Sequence, residues 1–245
     1  MACSASLWEV PLSMGDASEA QAQEFRDVLV VVPAHNEGTV IADTVTDLLR
    51  SFPHVLVIDD GSGDGTGQIA QSAGAEVAKH LLNLGQGGAL LTGFRIAAQL
   101  PLLNWVVTFD ADGQHRVSDA AAMVRKARAE NLEIVLGTRF GEGSSEASFS
   151  KRVLLRMATR YTRWTTGLKV TDTHNGLRVL SRSIAGRMVI RDRGMGHASD
   201  ILDFIAHHEV AWAEMPIHVH YTEYSRSKGQ SMSNAVNLVT DRWLR

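Results

Sequence analysis

The chain has 245 residues, enough for one domain or two closely packed lobes. Its 24 Lys and Arg against 27 Asp and Glu give a net charge of −3 with both signs interspersed, which argues against a general nucleic-acid binder. The single cysteine, Cys3, cannot close an internal disulfide, so the expected compartment is a reducing cytosol, and no run approaches the ~18 apolar residues that would span a bilayer.

Residues 1–26, rich in Ser, Ala, Glu and Gln, read as a flexible leader without a secretory pattern. The apolar run Val28–Val32 then ends in the polar loop Pro33-Ala-His35-Asn36-Glu37. Residues 38–51 carry apolar positions at helical spacing. A second apolar run, Val55–Ile58, ends in Asp59-Asp60-Gly61-Ser62-Gly63-Asp64-Gly65-Thr66. A short helix is expected over 65–74, a short strand over Ala75–Ala78, and a third helix after the glycine-rich turn Gly85-Gln86-Gly87-Gly88. Asn104–Phe109 delivers Asp110-Ala-Asp112-Gly-Gln114-His115. Then follow a helix over 118–129 with Ser118 as N-cap, a strand over Leu132–Gly137, a basic helix over 149–166 and a short strand over Leu177–Leu180. A helix over 197–208, an alternating strand over Val210–Tyr221 and an amphipathic helix over 232–244 complete the chain. Strands alternating with helices predict parallel βαβ units, whose ligands bind beyond the carboxyl ends of the strands. The three polar clusters are then expected on one edge, as one site.

Asp110-Ala-Asp112-Gly-Gln114 is the most informative segment. On an extended backbone, residues i, i+2 and i+4 share a side, so three oxygen donors would converge. Such a set suits a hard cation, Mg2+ or Mn2+, that leaves room for substrate phosphates. The bare Asp-x-Asp also fits a solvated turn, and its place after an apolar strand is what favours the metal. Asp59-Asp60 closes a strand at the same edge, where a carboxylate can accept from uracil or guanine N–H groups. The glycine-rich turn fails both the Gly-x-Gly-x-x-Gly and the P-loop patterns, leaving a tight helix start or a phosphate contact at a helix N-terminus. His207, His208, His218 and His220 lack a third ligand in a zinc pattern and read as ordinary polar positions.

Pro33-Ala-His-Asn-Glu37, Asp59-Asp-Gly-Ser-Gly-Asp-Gly-Thr66, Asp110-Ala-Asp-Gly-Gln114 and Gly137-Thr-Arg139, in that order, resemble the family 2 glycosyltransferases of GT-A fold. Within them the chain is similar to the dolichyl/polyprenyl-phosphate mannosyltransferase branch, over about residues 27–231. The resemblance implies an α/β fold with a Rossmann-like, mostly parallel sheet flanked by helices. It forms a single compact domain of two lobes, with 27–117 as the nucleotide-binding half and 118–245 as the acceptor half. It implies an inverting transfer from a nucleotide-diphosphate sugar, of the GDP-mannose or UDP-glucose type, to a polyprenyl or dolichyl phosphate. Asp110, Asp112 and Gln114 are then the metal ligands, and Pro33, His35, Glu37, Ile58, Asp60 and Asp110 the nucleotide-binding residues. Arg139 and Arg152 would orient the acceptor phosphate. Arg226 and Lys228 lie in a loop like the one that closes over the donor phosphates in relatives. Relatives often carry Lys or Arg where this chain has Gln86, a departure that removes a direct charge contact. Some relatives have membrane helices that this sequence lacks, so it is expected to be cytoplasmic and to meet the membrane peripherally or through a small membrane partner.

Two features stay open at this level. Arg152, Arg156, Arg160 and Arg163 form an acid-free helical stripe, which fits a solvated face, a membrane interface or a phosphate acceptor. Asp200, at a helix start, fits a general base or a carboxylate stabilised by the helix dipole. Two rival functions follow: inverting transfer to a sugar hydroxyl in cell-envelope polysaccharide, where Asp200 takes the proton, and a non-catalytic nucleotide-sugar-binding subunit. An intact Asp-x-Asp-x-Gln argues against the second.

Overall fold

The computed structural model describes residues 23–139, 167–173, 175–194 and 196–220. Arg152 and the basic helix, the loop with Arg226 and Lys228, and the helix expected over 232–244 lie outside them.

Seven strands form one sheet: β1 (Val28–Ala34), β2 (His54–Asp59), β3 (Glu76–Lys79), β4 (Trp105–Thr108), β5 (Ile134–Thr138), β6 (Arg178–Ser181) and β7 (Trp212–Pro216). Their order across the sheet is β3-β2-β1-β4-β6-β5-β7. β6 runs antiparallel to both of its neighbours, and every other pairing is parallel. Central strands covered on both faces need apolar residues in succession, and β1 reads Val-Leu-Val-Val-Val for that reason. Odd and even positions serve two cores. Val30, Val32, Val57, Val107 and Val179 pack under α1 (Ile41–Leu49) and α4 (Val117–Ala129). Leu29, Val31, Ile58, Val106 and Leu180 pack under α3 (Gln86–Ala98), α5 (Arg182–Arg187) and α6 (His197–His207). The short α2 (Thr66–Ser72) joins β2 to β3.

Several sequence expectations are corrected. The leader does not extend to residue 26: Phe25 is fully buried, 4.9 Å from the Phe52 ring, with the Arg125 guanidinium 5.2 Å from its centroid. α1 starts at Ile41, because residues 37–40 make a turn in which Ile41 N–H donates to Glu37 O at 2.9 Å. Ser118 is not an N-cap. The helix begins at Val117, with Arg116 extended before it, because His115 is drawn into a bridge with Val219. The last strand stops at Pro216: beyond it His218 N–H turns to Asp119 at 2.7 Å, off the β5 ladder. α5 was not foreseen; Ser181 caps it by accepting from Ile184 N–H at 3.2 Å.

Candidate active site

The carboxyl ends of β1, β2, β4 and β5 share one edge of the sheet. Because β6 runs the other way, its beginning comes to that edge as well: Arg178 pairs with Thr108 of β4 and Leu136 of β5. The lead-in 171–177 is thereby brought beside Asp110.

The first two loops fasten each other. Asn36 N–H donates to Ser62 Oγ at 3.0 Å, Gly63 N–H to Asn36 Oδ1 at 3.0 Å, and Glu37 N–H to Thr66 Oγ1 at 2.9 Å. His35 Nδ1 donates to Asp60 O at 2.9 Å. Pro33 is half-buried beside Ile58, which lies wholly within the core under α3 and supports this region from beneath. The Asp60 carboxylate turns inward, accepting from Leu84 and Gly85 N–H at 2.8 Å each and from His80 at 2.7 Å. It anchors the approach to α3 and is buried in doing so.

The Asp110–Gln114 segment is a turn. β4 ends at Thr108 and Gly113 takes φ +71°, so the row of three oxygen donors expected of an extended backbone does not form. Gln114 instead folds onto Asp112, donating to it from its backbone N–H at 3.1 Å and its side-chain amide at 2.5 Å. Among the described residues no group of three or more His, Cys, Asp or Glu side chains converges to hold a metal. The carboxylates of the segment are Asp110 and Asp112. Asp110 is fixed by Gln86 Nε2 at 3.1 Å and His115 Nε2 at 3.0 Å. Burial works against its charge, but the His115 hydrogen bond, with the charges of His115, Arg178 and His197, brings its pKa below the usual carboxylate value. Burial and the Asp110 charge push Asp112 the other way, upward. A cation beside the pair would relieve the pressure that the Asp110 charge puts on Asp112.

Behind them stands a charged cluster that sequence reasoning missed. Arg178 is 4% exposed, and among the described residues its Nη1 has no hydrogen-bond partner. Burial pulls its pKa down to about 10 against the opposing charges of Asp110 and Asp172. His197 falls to about 4, through burial and the Arg178 charge, although its Nδ1 donates to Gly194 O at 2.7 Å. Gly176 allows the close approach: a Cβ there would lie 2.1 Å from Asp110 Oδ2. Arg139 is clamped by Asp172, with Nε at 2.7 Å and Nη2 at 2.8 Å from the two carboxylate oxygens. Glu214 of β7 in turn receives Thr171 N–H at 2.7 Å and Asp172 N–H at 3.2 Å. The available signal was Asp172 and Arg178 flanking Asn175-Gly176-Leu177, a polar lead-in to an apolar strand.

Asp200, in the first turn of α6, is engaged with the loop before that helix: its Oδ2 accepts from Arg191 N–H at 2.7 Å and Asp192 N–H at 2.8 Å. It lines a separate cavity of about 280 Å³ with Arg187, Asp203, Phe204 and His207. The histidines of the discarded zinc pattern are engaged elsewhere: His218 with Asp119, His220 with Arg116, and His207 and His208 with carbonyls one turn back.

Comparison with known proteins agrees with this architecture. The sequence model described as glycosyl transferase family 2 matches residues 29–188. The undecaprenyl-phosphate mannosyltransferase of Micrococcus luteus is 30% identical over 230 residues, covering 88% of this chain and 93% of its own. The UDP-N-acetylglucosamine–dolichyl-phosphate N-acetylglucosaminyltransferase of Methanococcus voltae is 29% identical over 227 residues, covering 84% and 90%. Glucosyl-3-phosphoglycerate synthase from Mycobacterium tuberculosis, solved with Mn2+, UDP-glucose and phosphoglyceric acid, superposes with a TM-score of 0.65 at 19% identity, covering 96% of this chain and 86% of that one. The chain belongs to glycosyl transferase family 2 and has the GT-A fold.

Proposed function

We propose that this family 2 glycosyltransferase moves a sugar from a nucleotide-diphosphate sugar to a polyprenyl phosphate, inverting the anomeric carbon. The observation that carries the reading is the placement of Asp110 and Asp112 just past the end of β4, at the carboxyl edge of the sheet, with Asp110 held by Gln86 and His115. Two carboxylates suit a cation that shares its coordination with substrate phosphates, as Mg2+ commonly does. Mg2+ or Mn2+ held there supplies neutralisation of the charge on the leaving nucleoside diphosphate. The similarity to two transferases named for lipid-phosphate acceptors supports the acceptor class.

The residues divide the remaining work. Pro33, His35 and Glu37, locked against the 60–66 loop, shape the nucleoside pocket, with Asp60 holding its far wall. Gln86 and His115 hold the Asp110 carboxylate, and Arg178 keeps it ionised. Arg139, oriented by Asp172, faces the acceptor phosphate as a planar donor. A phosphate oxygen attacks the anomeric carbon while the bond to the donor diphosphate breaks. That oxygen is already ionised near neutral pH, so no base is needed, in keeping with Asp200 serving its loop. Among the described residues no helix is long and apolar enough to cross a membrane.

The test is transfer from UDP-glucose, UDP-N-acetylglucosamine and GDP-mannose to undecaprenyl phosphate, with and without EDTA. One donor should support transfer that EDTA stops and that Asp112→Asn lowers by about a thousandfold. Full activity in EDTA sinks the metal assignment. Transfer only to a sugar hydroxyl sinks the acceptor, and donor binding without turnover would leave a binding subunit.

A further inference from the structure

Five large apolar side chains are exposed among the described residues, and three of them fall within four consecutive positions. Leu81 is 98%, Leu82 74% and Leu84 36% exposed. They lie in the loop from β3 to α3, and β3 is parallel to β2, so the loop stands at the same edge as Asp110. Its backbone is fixed from several sides. Asp60 accepts from Leu84, Gly85 and His80, and the other His80 nitrogen meets Thr92 Oγ1 at 2.9 Å. Gly61, at φ +72°, lets the 82–83 backbone close in: a Cβ there would lie 2.9 Å from Asn83 N. Polar anchors thus hold the main chain still while the leucines project into water. An apolar cluster presented this rigidly at a functional edge is a contact surface.

The surrounding charge selects the occupant. No acidic residue occurs between Glu76 and Asp110 in the sequence. The 191–194 loop packs on the start of α3, where Gly88 N–H donates to Arg193 O at 3.2 Å, and both Arg191 and Arg193 are exposed. Asp192 between them is half-buried and accepts from Gly194 N–H at 2.8 Å, and Asp200 and Asp203 share a cavity with Arg191, which leaves Arg193 as the cation of this loop outside that cavity. An apolar tip beside an outward cation fits the boundary of an anionic bilayer, with leucines among the acyl chains and Arg193 at the headgroups. We propose that the Leu81–Leu84 loop is the membrane-contacting tip of this protein and that its occupant is an anionic lipid surface. The benefit of that contact rests on the polyprenyl-phosphate reading; the contact itself can be measured without it.

The experiment uses the full chain and phosphatidylcholine–phosphatidylglycerol vesicles containing neither polyprenyl phosphate nor nucleotide. Leu81→Ser/Leu82→Ser should lower partitioning by roughly tenfold or more, from the lost apolar burial. An environment-sensitive dye on Leu82→Cys, in a Cys3→Ser background, should shift to the blue on adding vesicles. Equal partitioning of wild type and the double variant overturns the proposal, as does an unshifted dye. Concentration-dependent dimerisation that the double variant abolishes, without vesicle binding, overturns it in favour of a second copy of the chain. Leucine-dependent binding with no transfer to any polyprenyl phosphate keeps the tip and removes the activity reading. If the variant still glycosylates a short, water-soluble prenyl phosphate but not a vesicle-embedded one, both stand.

Discussion

The two halves of the molecule use polar side chains differently. From β1 to β4 they serve the backbone: Asn36, Asp60, Ser62, Asp64 and Thr66 each tie a loop N–H. From β5 onward such ties recur, at Ser181, Asp200 and Glu214, but beside them buried charges act on one another, as Arg139 with Asp172, and Arg178 with Asp110 and Asp172. The first arrangement fixes shape. Each tie is satisfied locally, and its loss is felt mainly by one loop. The second arrangement fixes a field. Charges held away from water act strongly on whatever arrives beside them, and removing one member leaves another uncompensated.

That contrast can be broken by experiment, and the largest effect should come from the buried charges. Asp172→Ala strips Arg139 and Arg178 of a shared counter-charge, and denaturant unfolding should show a loss of about 3–5 kcal/mol. A loss no greater than that of a surface substitution would mean the cluster is better hydrated than its burial suggests. Next comes His197. Its folded pKa of about 4 lies below the 6.5 of an exposed histidine, so the unfolded chain takes up the proton first. The His197 contribution is therefore intact above pH 6.5 and is lost as pH falls toward 4, by about 3 kcal/mol in all. Urea midpoints between pH 7.5 and 4 should fall less steeply in His197→Gln than in wild type, and parallel curves would remove His197 from the field.

Arg178→Met separates field from shape. It should lower kcat by about a hundredfold, and Arg178→Lys should recover part of it by keeping the charge. Unchanged Mn2+ affinity and unchanged kcat in Arg178→Met would reduce the guanidinium to packing. The smallest effect belongs to the other half. Asp60→Asn loosens the approach to α3 and should cost about 1–3 kcal/mol, raising KM for the donor more than it lowers kcat. If instead kcat collapses, the first half is also part of the electrostatic machinery.

Legibility in the sequence follows the same division. The first half could be read because its logic is local: apolar runs ending in Asp59-Asp60 or Asp110-Ala-Asp112 announce strand ends at one edge of the sheet. The extended backbone expected through Gln114 was not found because the turn at Gly113 redirects the chain, and a two-residue alternation says nothing about where a strand stops. Phe25 was assigned to the leader because its partners, Phe52 and Arg125, lie far along the sequence. Arg178 escaped notice for the same reason on a larger scale. A cation opening a short apolar strand is ordinary at a surface, and its burial depends on β4 and β5 enclosing it from both sides. Asp200 illustrates the converse, since its position at a helix start suggested chemistry and gave no sign of the two loop N–H groups it accepts.

The reversed strand β6 also dictates an order of events as the chain is made. β1 to β4 emerge together and can pair among themselves, yet β4 then has a neighbour on one side only. β5 follows and cannot take the vacancy, because its seat lies one strand further out. Until residues 178–181 appear, the strand carrying Asp110 displays an unpaired apolar edge, the kind of surface that recruits other chains. Completion of the catalytic floor and closure of the sheet are one step. A substitution that delays β6, such as a bulky residue at Gly176, should therefore appear first as aggregation during synthesis, before any assay of the finished enzyme could register it.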